Sequence, residues 1–390
     1  MNGSVSQRSA TGRGVRKAGF AAVAAFSVLA LTLAGCSSTP ASAPADAADD
    51  GTGMPSYYPS DYSSILDASK AEGGELVIYS NTDQENWAPI FRDFQKKYPW
   101  VTKISANNLE SDAVFQRQLS EMATGAAPAD MLISNAVQAW ATYAGQADTL
   151  LDYESPELAE LPDYAQLMPN VYAMSLDPIG LAYNASLMEE APTSIAALAK
   201  IVAADPKKYQ DKITTRDVNG AFGFTVSQAF TEGTASAWKS LEGILPSARP
   251  ETSSGTQLEK ILSGEYLAGF YISSAPGYPA EEKSGGLLKF VYPTDGTVVI
   301  GRGIGITPKA PHEATAKLFL DFVLSEDGQN AVAEGGLTSY RDSVELTEGR
   351  HTYQEIEKTA GKDAIIRVPY TVVSDADVKT FVTRWDGLLG

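Results

Sequence analysis

The stretch SGEYLAGFYISSAPGY, residues 263–278, gathers tyrosine and serine hydroxyls at the end of an apolar, β-prone run. Tyr271, Ser273 and Ser274 stand close together in it, and Tyr278 follows four residues later. Such hydroxyls can bind a metal ion as phenolates, act in catalysis or line a pocket for a polar molecule. They can also complete the hydrogen bonds of a turn. The choice depends on the elements that position them.

Two further polar stretches precede this one. The sequence SSGTQ, with Ser253 and Ser254, begins a predicted helix, and Thr215 ends a predicted strand next to Arg216 and Asp217. Hydroxyls and helix N-termini suit a small anion, and Arg216 is a candidate charge partner for it. An Arg beside an Asp also suits a surface ion pair, so both interpretations stay open.

Three units of strand, polar loop and helix begin at about residue 74. The polar residues at their strand ends are Ser80, Asn81, Thr82, Ser111, Ser134 and Asn135. Because ligands of mostly parallel sheets lie outside the carboxyl ends of the strands, where helix N-termini point, we predict a site for a polar or anionic ligand there. Helix capping is the alternative for any one of these residues.

The order of elements predicts an α/β fold with two lobes, each a mostly parallel sheet flanked by helices. VYAMSLDPIGLAYN and the later TVVIGRGIGI are long β-prone stretches, which we predict to cross between the lobes. The glycines of GRGIG are expected to allow close backbone approach or bending. The first lobe is predicted over 74–175 and 293–345 and the second over 176–292, with 346–390 left unassigned.

The chain begins with a basic stretch and an apolar run over about 19–34, the pattern of a secretory signal. LAGCSS follows and resembles the lipobox of bacterial lipoproteins, which implies that Cys36, the only cysteine, is lipidated. An ordinary signal peptide with an incidental cysteine is the alternative. Residues 37–72 are predicted to form a flexible tether. We therefore expect an extracytoplasmic protein, lipid-anchored to the cell membrane.

Charge excludes one class of partner. The chain has a net charge of −18, and all four basic residues of the signal region precede Cys36, which leaves 26 basic against 48 acidic residues after it. A chain this acidic repels nucleic acid over long range, so no nucleic-acid partner is predicted.

Several local sequences, in this order, resemble the extracellular solute-binding proteins of ABC importers. They are LVIYS, ADMLIS, IGLAYN, SGEYLAGFYIS, FVYPTDGTVVIGRGIGI, AKLFLDFVLSEDGQ and GGLTSYRDSV. The resemblance implies the type II periplasmic-binding fold, in particular that of the ferric-iron subgroup. It also implies a monomer without enzymatic activity, whose lobes close on a solute and deliver it to a membrane permease.

The resemblance leaves the solute open. Ferric-binding members of the family use two adjacent tyrosines of the second lobe, often with a histidine or carboxylate. Here Tyr271 and Tyr278 are separated, and the pair Tyr57-Tyr58 precedes the first strand. We therefore predict a polar or anionic organic solute, such as a phosphorylated, phosphonate or carboxylate compound. No metal or cofactor is predicted, and Fe³⁺ is the alternative ligand.

Other functions are less well supported by the residues. His312 and His351, the only histidines, are predicted to be exposed rather than ligands. The chain contains neither G-x-S-x-G nor H-E-x-x-H, so no enzymatic activity is predicted. A subunit that presents its ligand to a membrane sensor kinase is a further alternative, because the same closing lobes would serve it.

Overall fold

A computed structural model describes residues 54–126, 128–344, 347 and 351–390. The predicted signal peptide, the lipidation site Cys36 and the tether up to residue 53 lie outside the described residues. In the described part, no helix is both long enough and apolar enough to cross a membrane.

The described residues form thirteen β-strands and fourteen α-helices. The strands are β1 Glu75–Ser80, β2 Lys103–Asn108, β3 Met131–Ser134, β4 Gln166–Met168, β5 Val171–Asn184, β6 Ile213–Arg216, β7 Ala248–Glu251, β8 Ala268–Ser273, β9 Leu288–Val291, β10 Thr297–Ile306, β11 Thr338–Ser339, β12 His351–Thr352 and β13 Ile365–Arg367. The helices are α1 Ser63–Ala71, α2 Gln84–Lys97, α3 Ala113–Ala123, α4 Val137–Ala144, α5 Ile195–Ala204, α6 Pro206–Tyr209, α7 Ala221–Gly233, α8 Ala237–Ile244, α9 Ser254–Leu262, α10 Ser274–Lys283, α11 Glu313–Leu324, α12 Glu326–Glu334, α13 Tyr353–Ala360 and α14 Asp375–Asp386.

The three predicted strand–helix units lie together in the structure. We call them, with the helices α1, α11 and α12 that pack on them, the first lobe; it comprises β1–β3, α1–α4, α11 and α12. Strand β1 lies between β2 and β3 and is parallel to both. Successive residues of a strand point to opposite faces of the sheet. Accordingly, Leu76 and Ile78 pack in a cluster with Phe319 of α11, whereas Tyr79 packs in another with Phe115 of α3. Helices therefore cover both faces.

Strand β5 connects this lobe to the second lobe, β6–β9 with α5–α10. From Tyr172 to Pro178 it pairs antiparallel with β10, and from Ile179 onward it pairs antiparallel with both β8 and β9. The sheet order is β2-β1-β3-β10-β5-β8-β6-β7. At Pro178 the strand thus changes partner without interruption.

Two glycines of the returning strand β10 allow close packing, as predicted. A Cβ atom at Gly301 would lie 2.6 Å from the Leu167 side chain, and one at Gly303 would lie 2.6 Å from the Trp140 indole nitrogen. Both distances are shorter than carbon contacts in folded proteins, so any side chain would force the neighbour away.

The prediction of a tether that extends to residue 72 is wrong for its last part. Helix α1 packs against α11, and Tyr62 just before it is buried. The Tyr62 hydroxyl donates to Asp321 at 2.6 Å. The sequence before this segment is rich in Ser, Ala and Pro. The segment itself is folded because its aromatic residues pack against the first lobe.

The C-terminal segment contacts both lobes. Strand β13 pairs with β10, and the Val373 N–H donates to Gln138 of α4 in the first lobe at 2.8 Å. Helix α14 then packs against α7 of the second lobe, with Trp385 fully buried.

Candidate functional site

A cleft of about 350 Å³ lies between the lobes and is lined by both of them. The first lobe contributes Asn81, Thr82, Asp83, Asn86, Glu110, Ser111 and Asn135, the second contributes Arg216, Phe222, Thr252, Ser253, Ser254, Gly255, Ser273, Ala275 and Pro276, and β10 contributes Arg302. The first-lobe residues follow the ends of β1, β2 and β3 or begin the next helix. The parallel register places these ends at one edge of the sheet.

The polar residues of the first-lobe edge hold one another in place. Asn81 donates from Nδ2 to Ser111 Oγ at 2.8 Å and to Asn135 Oδ1 at 2.7 Å. Asn135 in turn donates from Nδ2 to Asp177 Oδ2 at 3.0 Å. The structure therefore brings together three predicted residues from three different strand ends.

Arg302 connects this edge to the crossing strands. Its Nη1 donates to Asn81 Oδ1 at 2.9 Å and to Thr82 Oγ1 at 3.1 Å, and its Nη2 donates to Asp177 Oδ2 at 2.6 Å. Both partners of this ion pair are buried. Arg302 Nε and Asp177 Oδ1 have no hydrogen-bond partner among the described residues. The floor of the cleft is thus a charge-compensated pair with spare hydrogen-bonding capacity.

Arg216 stands at the end of β6 on the opposite wall. Its guanidinium lies 4.8 Å from the ring centre of Phe222, and its Nε and Nη1 are buried without a partner among the described residues. Burial lowers the pKa of Arg216 to about 10, while Asp217 and Glu110 act in the opposite direction through space. The side chain therefore stays cationic at neutral pH, and no carboxylate of the described residues lies at contact distance from it.

Two helix N-termini flank Arg216 on the second-lobe wall. Ser253 caps α9 by accepting the Thr256 N–H at 3.0 Å, and Ser254 Oγ accepts the Ser273 N–H at 3.1 Å. Ser273 precedes α10 and makes no side-chain cap bond. Free N–H groups at such termini attract anions, so three predicted serines lie on a wall of positive potential.

Four other predicted residues lie behind the cleft rather than in its lining. Ser80, Ser134, Thr215 and Ser274 are almost completely buried. Ser80 Oγ accepts the Thr82 N–H at 2.9 Å, and Ser134 Oγ donates to the Ser111 carbonyl at 3.0 Å. Their side chains shape the loops that present the lining residues, so the structure does not place them in contact with a solute in the cleft.

The placement of Tyr271 corrects the prediction that it lines the site. Its side chain is buried in the second-lobe core, with ring centres 5.7 Å from Phe230, 4.8 Å from Phe270 and 6.2 Å from Trp385. It has a φ of 60° beside a register shift between β5 and β8. This irregularity turns the ring toward α7 and away from the cleft.

The histidines are less exposed than predicted. His312 lies at the start of α11, where its Nδ1 is 3.0 Å from Asp130 Oδ2. The ring of His351 stacks on Tyr278 at 3.3 Å between centroids. Neither lines the cleft. Within the described ranges, no group of three or more His, Cys, Asp or Glu side chains is arranged to hold a metal ion.

Sequence reasoning missed Arg302, which we had interpreted only through its neighbouring glycines. The signal was a cation within the otherwise apolar strand TVVIGRGIGI. A buried cation in a strand requires a partner, but nothing in the sequence identified Asp177. Phe222 was also missed as a lining residue.

Comparison with known proteins places most of the chain in one family. A family model described as bacterial extracellular solute-binding protein matches residues 89–358. No curated protein matches the chain.

Solved structures share the fold. The substrate-binding protein of an ABC transporter from Agrobacterium tumefaciens is 20% identical, with a TM-score of 0.71 over 81% of this chain and 95% of that one. The periplasmic binding protein AfuA from Actinobacillus pleuropneumoniae, with fructose-6-phosphate bound, is 21% identical, with a TM-score of 0.64 over 81% and 98%. Iron-bound HitA from Pseudomonas aeruginosa is 20% identical, with a TM-score of 0.62 over 80% and 99%. The predicted two-lobed type II fold is confirmed.

Proposed function

Because the chain belongs to the bacterial extracellular solute-binding proteins, we propose that it captures a small anionic organic solute between its lobes and delivers it to the permease of an ABC importer. The solute is a phosphorylated, phosphonate or carboxylate compound. We also propose that lipidation of Cys36 anchors the protein to the cell membrane.

The observation that carries this proposal is the unpaired Arg216. Burial of a charge without a partner is unfavourable by several kcal/mol, and two of its guanidinium nitrogens are buried with no partner among the described residues. The Arg216 side chain is only partly buried and lines the cleft, so a bound phosphate or carboxylate would accept a charge-assisted hydrogen bond from the part of the guanidinium that faces the cleft. The cleft is therefore constructed for an anion rather than for a neutral solute.

Lobe closure follows from the same geometry. Arg216 belongs to the second lobe, whereas Asn81, Ser111 and Asn135 belong to the first. A solute that contacts both walls has a higher affinity for the closed form than for the open form, and so shifts the population toward closure. No covalent step is needed.

Ferric iron fits the lining less well. Among the described residues that line the cleft there is no tyrosine and no histidine, and the anionic oxygens come only from Asp83 and Glu110. A trivalent cation would also face the uncompensated charge of Arg216. Bound fructose-6-phosphate in AfuA is consistent with an anionic solute in this fold, and iron in HitA keeps Fe³⁺ as the competing candidate.

A thermal-shift screen of the full-length protein in detergent tests the proposal. Phosphorylated sugars, phosphonates, carboxylates and ferric citrate are compared, and we expect an organic anion to raise the melting temperature. Arg216→Gln should remove this shift. Arg384→Gln, on the exposed side of α14, is the matched control and should retain it. A shift with ferric citrate alone, accompanied by phenolate-to-iron colour, would contradict the proposal.

A further inference from the structure

The two walls of the cleft carry opposite charge. The first-lobe wall presents the exposed carboxylates of Asp83 and Glu110, and Glu110 forms no ion pair with a described residue. The second-lobe wall presents Arg216 and the N-termini of α9 and α10. An anionic group is therefore attracted to one wall and repelled by the other.

The floor of the cleft adds little net charge to this field. Arg302 would be a second cation, but the carboxylate of Asp177 lies 2.6 Å from its Nη2 and both side chains are buried. At the distance of a solute, opposite charges in contact act mainly as a dipole. Arg216 is consequently the one cation among the described lining residues without a carboxylate at contact distance.

The first-lobe wall suits an uncharged body. Thr82 Oγ1 accepts from Arg302 and keeps its own hydroxyl proton available. The carboxylates of Asp83 and Glu110 accept hydrogen bonds from hydroxyl groups. A polyhydroxylated body satisfies these groups, whereas a second anionic group would meet two carboxylates.

We propose that Asp177 and Glu110 determine specificity for a solute with one anionic end, a proposal that rests on the function proposed above. The anionic group binds at Arg216, and a neutral, hydroxyl-bearing body binds at the first-lobe wall. Asp177 fixes this polarity because it compensates Arg302. The cleft thus accepts one anionic group and rejects a solute that carries another at its far end.

Matched probes test this polarity by calorimetry on the full-length protein in detergent. The first series is fructose, fructose 6-phosphate and fructose 1,6-bisphosphate, and the second is a propyl monophosphonate and the propyl bisphosphonate. We expect binding of a singly substituted compound, weaker binding of its doubly substituted partner by about tenfold or more, and no measurable binding of fructose.

Three variants separate the contributions. Glu110→Gln should raise the affinity of the doubly substituted compound relative to the singly substituted one by about tenfold, because it removes one repelling charge. Asp177→Asn should change the same ratio in the same direction, since it leaves Arg302 uncompensated. The double variant Asp177→Asn/Arg302→Gln restores neutrality and should return the ratio to that of the wild type.

The outcomes distinguish the two proposals. If neither series binds to the wild type and no other organic anion shifts its melting temperature, the proposed function fails and the polarity fails with it. If singly and doubly substituted compounds bind equally, or if Glu110→Gln leaves their ratio unchanged, the polarity is overturned while the proposed function stands. Glu110 is exposed, so this variant decides the question even if Asp177→Asn does not fold.

Discussion

The guanidinium of Arg302 and the carboxylate of Asp177 lie 2.6 Å apart on adjacent crossing strands. Each also forms a hydrogen bond with a first-lobe side chain: Arg302 with Asn81, and Asp177 with Asn135. The pair therefore links the strand-end residues of the cleft to the segment about which the lobes would move. Its removal should affect stability and site geometry together.

Asp177→Ala should lower the free energy of unfolding by about 3–5 kcal/mol, because it leaves a buried guanidinium without its carboxylate. The double variant Asp177→Ala/Arg302→Met removes both charges and should be more stable than the single variant. Urea unfolding at neutral pH measures both differences. If the double variant were less stable than Asp177→Ala alone, the uncompensated charge would not be the cause.

Arg216→Met should abolish binding of an organic anion without lowering stability. Two guanidinium nitrogens of the partly buried Arg216 have no partner among the described residues, and an apolar side chain of similar length removes their unfavourable desolvation while it keeps the contact with Phe222. We expect the melting temperature of the solute-free protein to stay constant or rise, as is common where a site carries strain for function.

Arg216→Lys is the conservative control for that variant. It retains a charge but loses the planar guanidinium and its contact with Phe222, so it should bind with reduced affinity. Calorimetry with fructose 6-phosphate, or with the anion that gives the largest thermal shift, measures this order. If a stable Arg216→Met variant still bound the anion with wild-type affinity, Arg216 would not contribute to anion binding.

The fold could be predicted because its signals are local. Apolar runs such as Leu76–Tyr79, followed by polar loops and helices with apolar residues at helical spacing, specify strand–helix units within about 25 residues, and their repetition specifies the sheet. The ends of β1, β2 and β3 then share an edge by geometry alone. For this reason Asn81, Thr82, Ser111 and Asn135 were predicted as a group.

The errors concern contacts between distant parts of the chain. Tyr62 is ordered by Asp321, 259 residues away, so the composition around it gave no indication of a folded helix. The pairing of Arg302 with Asp177 spans 125 residues and depends on the register of β5 against β10. The core environment of Tyr271 includes Trp385 of the C-terminal helix, a segment that sequence patterns left unassigned.

Tyr271→Phe should leave solute binding unchanged and stability equal to or slightly above that of the wild type. The Tyr271 hydroxyl is buried without a partner among the described residues, and an unsatisfied buried hydroxyl is unfavourable. Tyr271→Ala, in contrast, removes a ring from the core and should destabilise the protein by about 3–5 kcal/mol. If Tyr271→Phe bound the solute more weakly at unchanged stability, the Tyr271 hydroxyl would contact the solute after all.

The last prediction concerns pH and the buried carboxyl of Asp321. Burial raises its pKa from 3.8 to about 6, although Ser155, Tyr153 and Tyr62 donate hydrogen bonds that oppose this rise. The folded state therefore takes up a proton as the pH falls through 6, whereas the unfolded state does so only near 4. The resulting stabilisation is complete below about pH 4 and is lost as the pH rises through 6.

A difference of about two pKa units corresponds to about 3 kcal/mol. As the pH falls from 7 to 4, the wild type should therefore gain about this much stability relative to Asp321→Asn, which cannot take up the proton. Urea unfolding of both proteins at several pH values in this range gives the difference, and titrating groups that do not interact with Asp321 cancel in it. A difference that did not change with pH would show that Asp321 titrates at its ordinary pKa, and that the hydrogen bonds from the three hydroxyls balance the effect of its burial.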